Sequence, residues 1–290
     1  MTGLAISGIL QGVITGLILA FITCGMTMIY RISGVANFAH GSLFMLAMYL
    51  TLALSRVTSV NSMLLVVVTA PFMWCIGLVL YWALIRPIRT RHHLLVVQLL
   101  LGLSFAIDAL LLISFGGDLQ SLGNPFNSHF LHILGTGFSF TTLIGATLSL
   151  VGLIVLAALM RWSDFGRHLR AAAGDTLAAR LAGIPVERLE GLTWAAGVAI
   201  LGVIAPVTGS ILTLSPEMGL HYTILSLVIL IIGGRGSLVG TIFGGLAVGI
   251  TQSLGLLFLP GSFGASLPYV LLIVVLVLHP GGLATLMGRT

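Results

Sequence analysis

The chain contains no lysine, only seven acidic residues and only two cysteines among its 290 residues. The missing lysine excludes a Walker A loop, whose lysine lies against the nucleotide phosphates. If ATP drives this protein, another chain must hydrolyse it. Charged residues make up 7% of the sequence, against roughly 25% in an ordinary soluble domain. Apolar residues make up 58%, and the mean hydropathy is +1.18. That imbalance belongs to a multi-spanning membrane protein. Cys24 and Cys75 both fall in apolar runs, which favours packing roles over a disulfide. The net charge of +5 does not call for nucleic acid, because the arginines cluster in a few loops, as the positive-inside rule expects. The opening MTGLAISGIL has no positive n-region, so the first apolar run is expected to stay as a span rather than leave as a signal peptide.

What the chain does have is apolar runs near the ~20 residues that a spanning helix needs. They cover 4–30, 43–54, 62–85, 94–115, 140–160, 189–214, 222–232, 241–259 and 267–279. The seventh is short unless it begins near Met218. The expected fold is an all-α polytopic membrane protein, one domain over 1–290, with about eight or nine membrane helices. Gly8, Gly12 and Gly16 repeat every four residues and leave one smooth face on the first helix, suited to close packing within the chain or to a subunit contact. The basic loops at 86–93 and 161–190 are two spans apart and so share a side. The arginine-free loop at 116–139 lies on the other side. Counting onward puts Arg235 and Arg289 with the basic loops, on the side expected to be cytoplasmic. The orientation of the N-terminus stays open.

Two polar features interrupt the apolar runs. Arg31 to Ser42 reads RISGVANFAHGS. The run after it is too short for a straight span unless 36–42 joins the helix. Asn37 and His40 would then lie one turn apart on one face, inside the membrane. Such groups face a cavity or another helix, so the segment is either part of a pathway or a satisfied helix contact. Asp108 lies well inside its span, and the same two readings apply to it.

The longest polar stretch, 161–191, carries five arginines and four acids. Residues 167–182 have helix-forming composition, and Leu169, Ala173, Leu177 and Leu181 recur every four residues as an apolar stripe. Gly183 fits the left-handed cap position, Ile184 can fold back on Leu181, and Pro185 stops the helix and can open the next. The segment therefore predicts helix, turn, helix in the cytoplasm. Its stripe is mostly alanine, which suits packing on a protein better than lying on a bilayer. The later turn GGRGSLVG is not a dinucleotide loop: the second glycine gap has three residues instead of two, and no strand precedes it.

These residues resemble a known family. Gly34-Val-Ala-Asn-Phe-Ala-His-Gly41, the loop Ala173-Gly-Asp-Thr-Leu-Ala-Ala-Arg-Leu-Ala-Gly-Ile184, the turn Gly233-Gly-Arg-Gly-Ser237 and the glycine-rich helix at 240–249 are similar to those of branched-chain amino acid ABC importer permeases. This is the LivH/LivM family, and the first segment is LivH-like. The resemblance implies a subunit of a bacterial inner (plasma) membrane importer, with no enzymatic activity and no cofactor of its own. It implies a second homologous permease, two ATPase subunits that bind ATP and Mg, and a periplasmic substrate-binding protein as partners. Asn37, Phe38, His40, Gly41 and Asp108 would lie near the translocation pathway. Arg170, Asp175, Leu177, Leu181, Gly183 and Ile184 would form the ATPase coupling loop. The chain departs from many relatives at Gly174, where an acid or amide is common, and around Glu217, His221 and Tyr222. Members also carry urea, short amides and aromatic acids, so the resemblance leaves the substrate open. Two other classes compete. A proton-coupled secondary transporter could use Asp108 and His40 as carriers, but it needs no docking loop. An intramembrane enzyme finds no paired acids, and His92 and His93 are adjacent, so they point apart on a helix.

Overall fold

The structure is a computed structural model describing residues 2–58, 60–89, 93–124, 130–133, 136–260 and 263–286. Arg289 and His92 lie outside the described residues. The helices run α1 Thr2–Ser33, α2 His40–Val57, α3 Val66–Val79, α4 His93–Phe115, α5 Phe140–Trp162, α6 Asp164–Gly174, α7 Thr176–Leu181, α8 Val186–Ile211, α9 Met218–Gly233, α10 Leu238–Phe258, α11 Phe263–Leu278 and α12 Leu283–Leu286. A 3-10 turn, Ser62–Leu65, leads into α3, and a π-helical stretch, Leu80–Ile85, continues it. Seven helical segments are long and apolar enough to cross a membrane, and α9 and α11 are shorter apolar helices. The eight or nine expected from the apolar runs agree with that set.

The central helix is α8, whose Trp194, Val198, Leu201 and Ile204 are fully buried. It packs along α3, α1 and α2, while α1 lies along α10. The glycine repeat explains the second contact. A Cβ at Gly12 would lie 2.5 Å from the Ile250 Cα, and one at Gly16 would lie 2.8 Å from the Leu246 Cα. Of the two uses open to that smooth face, the chain takes the internal one. In contrast, Val67, Leu110, Ile113, Ile154 and Ile273, on α3, α4, α5 and α11, remain exposed, as lipid- or subunit-facing side chains must be.

The two ends of the bundle differ in charge. Arg86 pairs with Glu187 at 3.1 Å, and Arg89 pairs with Glu187 and Glu190, so the two basic loops meet. Arg31, at the end of α1, backs the turn at Gly236. At the other end Arg56 Nη2 donates to Gln120 Oε1 at 2.7 Å. Hence α1 starts at the arginine-poor end and finishes at the basic end, which resolves the orientation left open by the sequence. The loop after α4 also holds a short antiparallel hairpin, β1 Phe130–Ile133 with β2 Thr136–Ser139, which the sequence did not signal.

The second helix departs from expectation. It begins at His40, not at Ala36, and runs past 54 to Val57. Asn37 therefore does not share a helix face with His40. It lies in the break, where its Oδ1 accepts from the Ala39 N–H at 3.0 Å. Gly34, at φ +69°, turns the chain at the end of α1, and residues 34–39 run back beside it. The return is deep: the His40 imidazole Nε2 is 2.9 Å from the Ile22 carbonyl oxygen. Ile22 lies about 16 Å before the end of α1 at 1.5 Å per residue. The same arrangement recurs in the opposite direction. α8 ends at Ile211, residues 212–217 return, and α9 starts at Met218. Both breaks are six residues long, and both helices start in the interior. Leu214 and Gln120 exchange backbone hydrogen bonds of 2.8 and 3.0 Å, which pin the second return.

Candidate functional site

The starts of α2 and α9 meet inside the bundle. The Gly41 N–H donates to Thr223 Oγ1 at 2.8 Å, and Phe44 meets Tyr222 edge-on, with ring centroids 5.3 Å apart. Neither helix start has a side-chain cap: Ala39 and Glu217 make no capping bond. Each therefore presents the positive end of a helix dipole. Gly41 and Gly219 allow the approach. A Cβ at Gly41 would overlap the Gly219 carbonyl oxygen and the Thr223 nitrogen.

Asp108 is the acidic group at this junction. A Cβ on Gly219 would sit 2.6 Å from Asp108 Oδ1 and 2.6 Å from Ser42 Oγ. Asp108 Oδ1 is buried without a hydrogen-bond partner among the described residues. Ser42 and Ser104 share a hydrogen bond of 2.7 Å. The junction thus combines the Asp108 carboxylate, the hydroxyls of Ser42, Ser104 and Thr223 and two positive helix ends.

Of the residues singled out from the sequence, Gly41 and Asp108 meet here. Asn37 and His40 are fully buried in the break, and Phe38 is half-buried and packs on the core. His40 Nδ1 and Asn37 Nδ2 have no partner among the described residues. Ser42, Ser104, Gly219 and Thr223 were not singled out. A signal existed for Ser104, which lies one turn before Asp108 on α4 as a polar pair in an apolar helix.

The polar loop also differs in detail. The single helix expected over 167–182 is two helices, because Asp175 stops α6 and caps α7. Its Oδ1 accepts from the Leu177 and Ala178 N–H groups at 2.8 and 3.0 Å. The expected stripe is therefore divided. Leu169, Ala172 and Ala179 are buried, whereas Leu177 is 68% and Leu181 82% exposed. Arg170 reaches back to the Met160 carbonyl oxygen and ties α6 to α5. Gly183 takes the left-handed conformation expected of it, φ +83°, and Ile184 N–H donates to the Ala179 carbonyl at 3.0 Å. Ile184 packs on the core. Beneath α7, Arg89 and Glu190 are each 13% exposed and paired, and Tyr81 Oη donates to Glu190 Oε2 at 2.8 Å. Burial disfavours the Arg89 charge, but the attraction of Glu190 and Tyr81 outweighs it and holds the guanidinium above its ordinary value.

Comparisons with known proteins agree with this architecture. Residues 8–278 match the family described as "Branched-chain amino acid transport system / permease component". The chain is 29% identical to the high-affinity branched-chain amino acid transport system permease LivH of Escherichia coli strain K12, over 94% of this chain and 93% of that one. It is 28% identical to LivH of Salmonella typhimurium, with the same coverage. It is 26% identical to BraD of Pseudomonas aeruginosa, over 95% of this chain and 94% of the relative. No solved structure matches the chain. A match over nearly the whole length, on a bundle of apolar helices, identifies a multi-pass membrane transport protein, and the chain belongs to the branched-chain amino acid transport system permease family.

Proposed function

We propose that the chain forms one half of the translocation pathway of an ABC importer for branched-chain amino acids, in the plasma membrane, with its basic end in the cytoplasm. A second, similar permease completes the pathway, and a soluble binding protein delivers the substrate at the arginine-poor end. Separate ATPase subunits bind ATP and Mg and dock on α7. The observation that carries this reading is the exposure of Leu177 and Leu181 on a short helix that is capped at both ends and stands at the basic end of the molecule. Two large apolar side chains held out from a rigid turn are what a groove on a partner requires. The substrate class follows the names of the relatives. The meeting ends of α2 and α9, with Gly41 and Asp108, supply the polar contacts of the pathway, and Asn37 and His40 hold the break that positions them. Phe38, half-buried beside the break, is the aromatic side chain of that segment.

A mild-detergent pull-down of the tagged chain from its native membrane tests the assembly. Recovery of an ATPase and a second permease of similar size is expected. Recovery of the chain alone, under conditions that keep other ABC complexes intact, contradicts the docking role of α7.

A further inference from the structure

A cleft of about 150 Å³ lies between α1, α5, α8, α9 and α10. At about 30 Å³ per water, it has the room of roughly five waters and suits a small solute. On α1 it follows one face from Gln11 to Ile22, about 16 Å of helix at 1.5 Å per residue. Its rim carries Gln11, Thr142 and Gln252. This is the arginine-poor end, where α1 and α5 start, and the contact of Gly12 with Ile250 holds Gln252 level with Gln11. Its floor is Ile22, whose carbonyl meets His40, and Tyr222, whose ring meets Phe44 of α2. The cleft therefore ends where the junction of α2 and α9 begins. Ile18, Leu19 and Leu225 give it an aliphatic wall, and neither arginine nor carboxylate lines it. The side chains of Gln11, Thr142, Tyr222 and Gln252 form no hydrogen bond among the described residues. An unanswered amide or hydroxyl at membrane depth is costly, so such groups face a cavity or a partner. A lipid acyl chain in the cleft would leave all four unanswered, whereas a hydrogen-bonding solute would not.

We propose that this cleft is a way station for the transported amino acid, entered from the arginine-poor end before the junction is reached. The aliphatic side chain lies on Ile18, Ile22 and Leu225. The Gln11 and Gln252 amides and the Thr142 hydroxyl meet the ammonium and the carboxylate, because an amide offers both an acceptor and donors. A net anion or cation finds no counter-charge here, whereas the two charges of a zwitterion balance each other. Without an ion pair the site holds its ligand weakly, and passage requires that, since a solute must leave as well as enter. The identity of the ligand rests on the function proposed above. The watery, hydrogen-bonding character of the cleft does not.

The test is thiol protection in the complete permease–ATPase complex in nanodiscs, without binding protein. Cys24 is buried and Cys75 exposed, so Thr142→Cys is made together with Cys75→Ser. A charged, membrane-impermeant methanethiosulfonate should modify Thr142→Cys and not Ile154→Cys, on the outer face of the same helix. Leucine at about ten times its Kd should slow the modification about tenfold, because only the empty site reacts. Leucinamide, a net cation, and 4-methylpentanoate, a net anion, should protect far less. Adding Gln252→Leu should leave the rate without leucine unchanged, which shows that the fold is kept. It should raise the half-protecting leucine concentration about tenfold, as loss of a hydrogen bond to a charged group does. Modification by a lipophilic maleimide alone makes the cleft a lipid groove and overturns the proposal. Modification of the isolated chain but not of the complex gives the cleft to the second permease and overturns it too. So do equal protection by leucinamide and a half-protecting concentration untouched by Gln252→Leu. Radiolabelled leucine uptake by cells carrying the wild-type complex separates the two readings. Uptake without protection overturns the cleft and leaves the proposed function standing, whereas absence of uptake overturns the proposed substrate and the ligand with it.

Discussion

Asp108 places a carboxylate beside the starts of α2 and α9, within reach of Ser42 and Gly219. Asp108→Asn keeps its shape and removes its charge. If the carboxylate meets the substrate ammonium, uptake should fall at least tenfold, about 1.4 kcal/mol, while membrane abundance is unchanged. Wild-type uptake by this variant, measured with radiolabelled amino acid, would remove Asp108 from the pathway. His40 is the other ionisable group singled out from the sequence for the pathway. It is fully buried and bound to the Ile22 carbonyl, which leaves the proton-carrier alternative with little to stand on. At Gly41 the issue is space. Gly41→Ala drives a methyl group into the backbone of α9, and overpacking of this kind costs about 1–3 kcal/mol. A lower unfolding temperature in detergent is expected, and an unchanged one would mean that the two helix starts are less closely held than described.

At the scale of elements, α7 is the most testable. Leu177→Ser and Leu181→Ser alter exposed positions, so stability should stay within about 0.5 kcal/mol of wild type. Co-purification of the ATPase should nonetheless be lost. Retention of the ATPase by the double variant would show that α7 is not the docking helix. Gly183→Val acts differently. Its Cβ meets nothing within 4 Å, so the effect is confined to backbone strain at φ +83°, about 1–2 kcal/mol for an L-residue in the left-handed region. Transport should fall while insertion persists, and normal uptake in cells would separate the turn from coupling.

These elements also show how far the sequence can be read. The spans were legible because lipid demands long apolar runs, and the Gly183 turn was legible because positive φ demands glycine. The stripe at 169–181 was misjudged because aspartate is compatible with both a helix and a cap. Only the packing of Leu169, Ala172 and Ala179 decides between them. The starts of α2 and α9 left little trace because they have no capping side chain. Their unsatisfied N–H groups are met by tertiary partners such as Thr223, which no local pattern records. Gly219 and Ser42 were missed for the same reason: their importance lies in what they approach from another part of the chain.

In the whole molecule, α1–α2 and α8–α9 form a pair of like units running in opposite directions, each a long helix, a six-residue return and a half-helix. Their contact leaves the half-helices interlocked through bonds between residues far apart in sequence. That has a consequence for biosynthesis. Gly41 and its acceptor Thr223 are separated by 182 residues. At about 5–20 residues per second, the ribosome takes roughly 10–40 s to cover that distance. Throughout this interval the emerging half-helix lies in the bilayer with its amide unanswered, a state that hydrocarbon tolerates poorly. The insertion machinery must therefore shelter the first half until the second arrives, and a nascent chain stalled before α9 should be a substrate for membrane proteolysis rather than a folding intermediate.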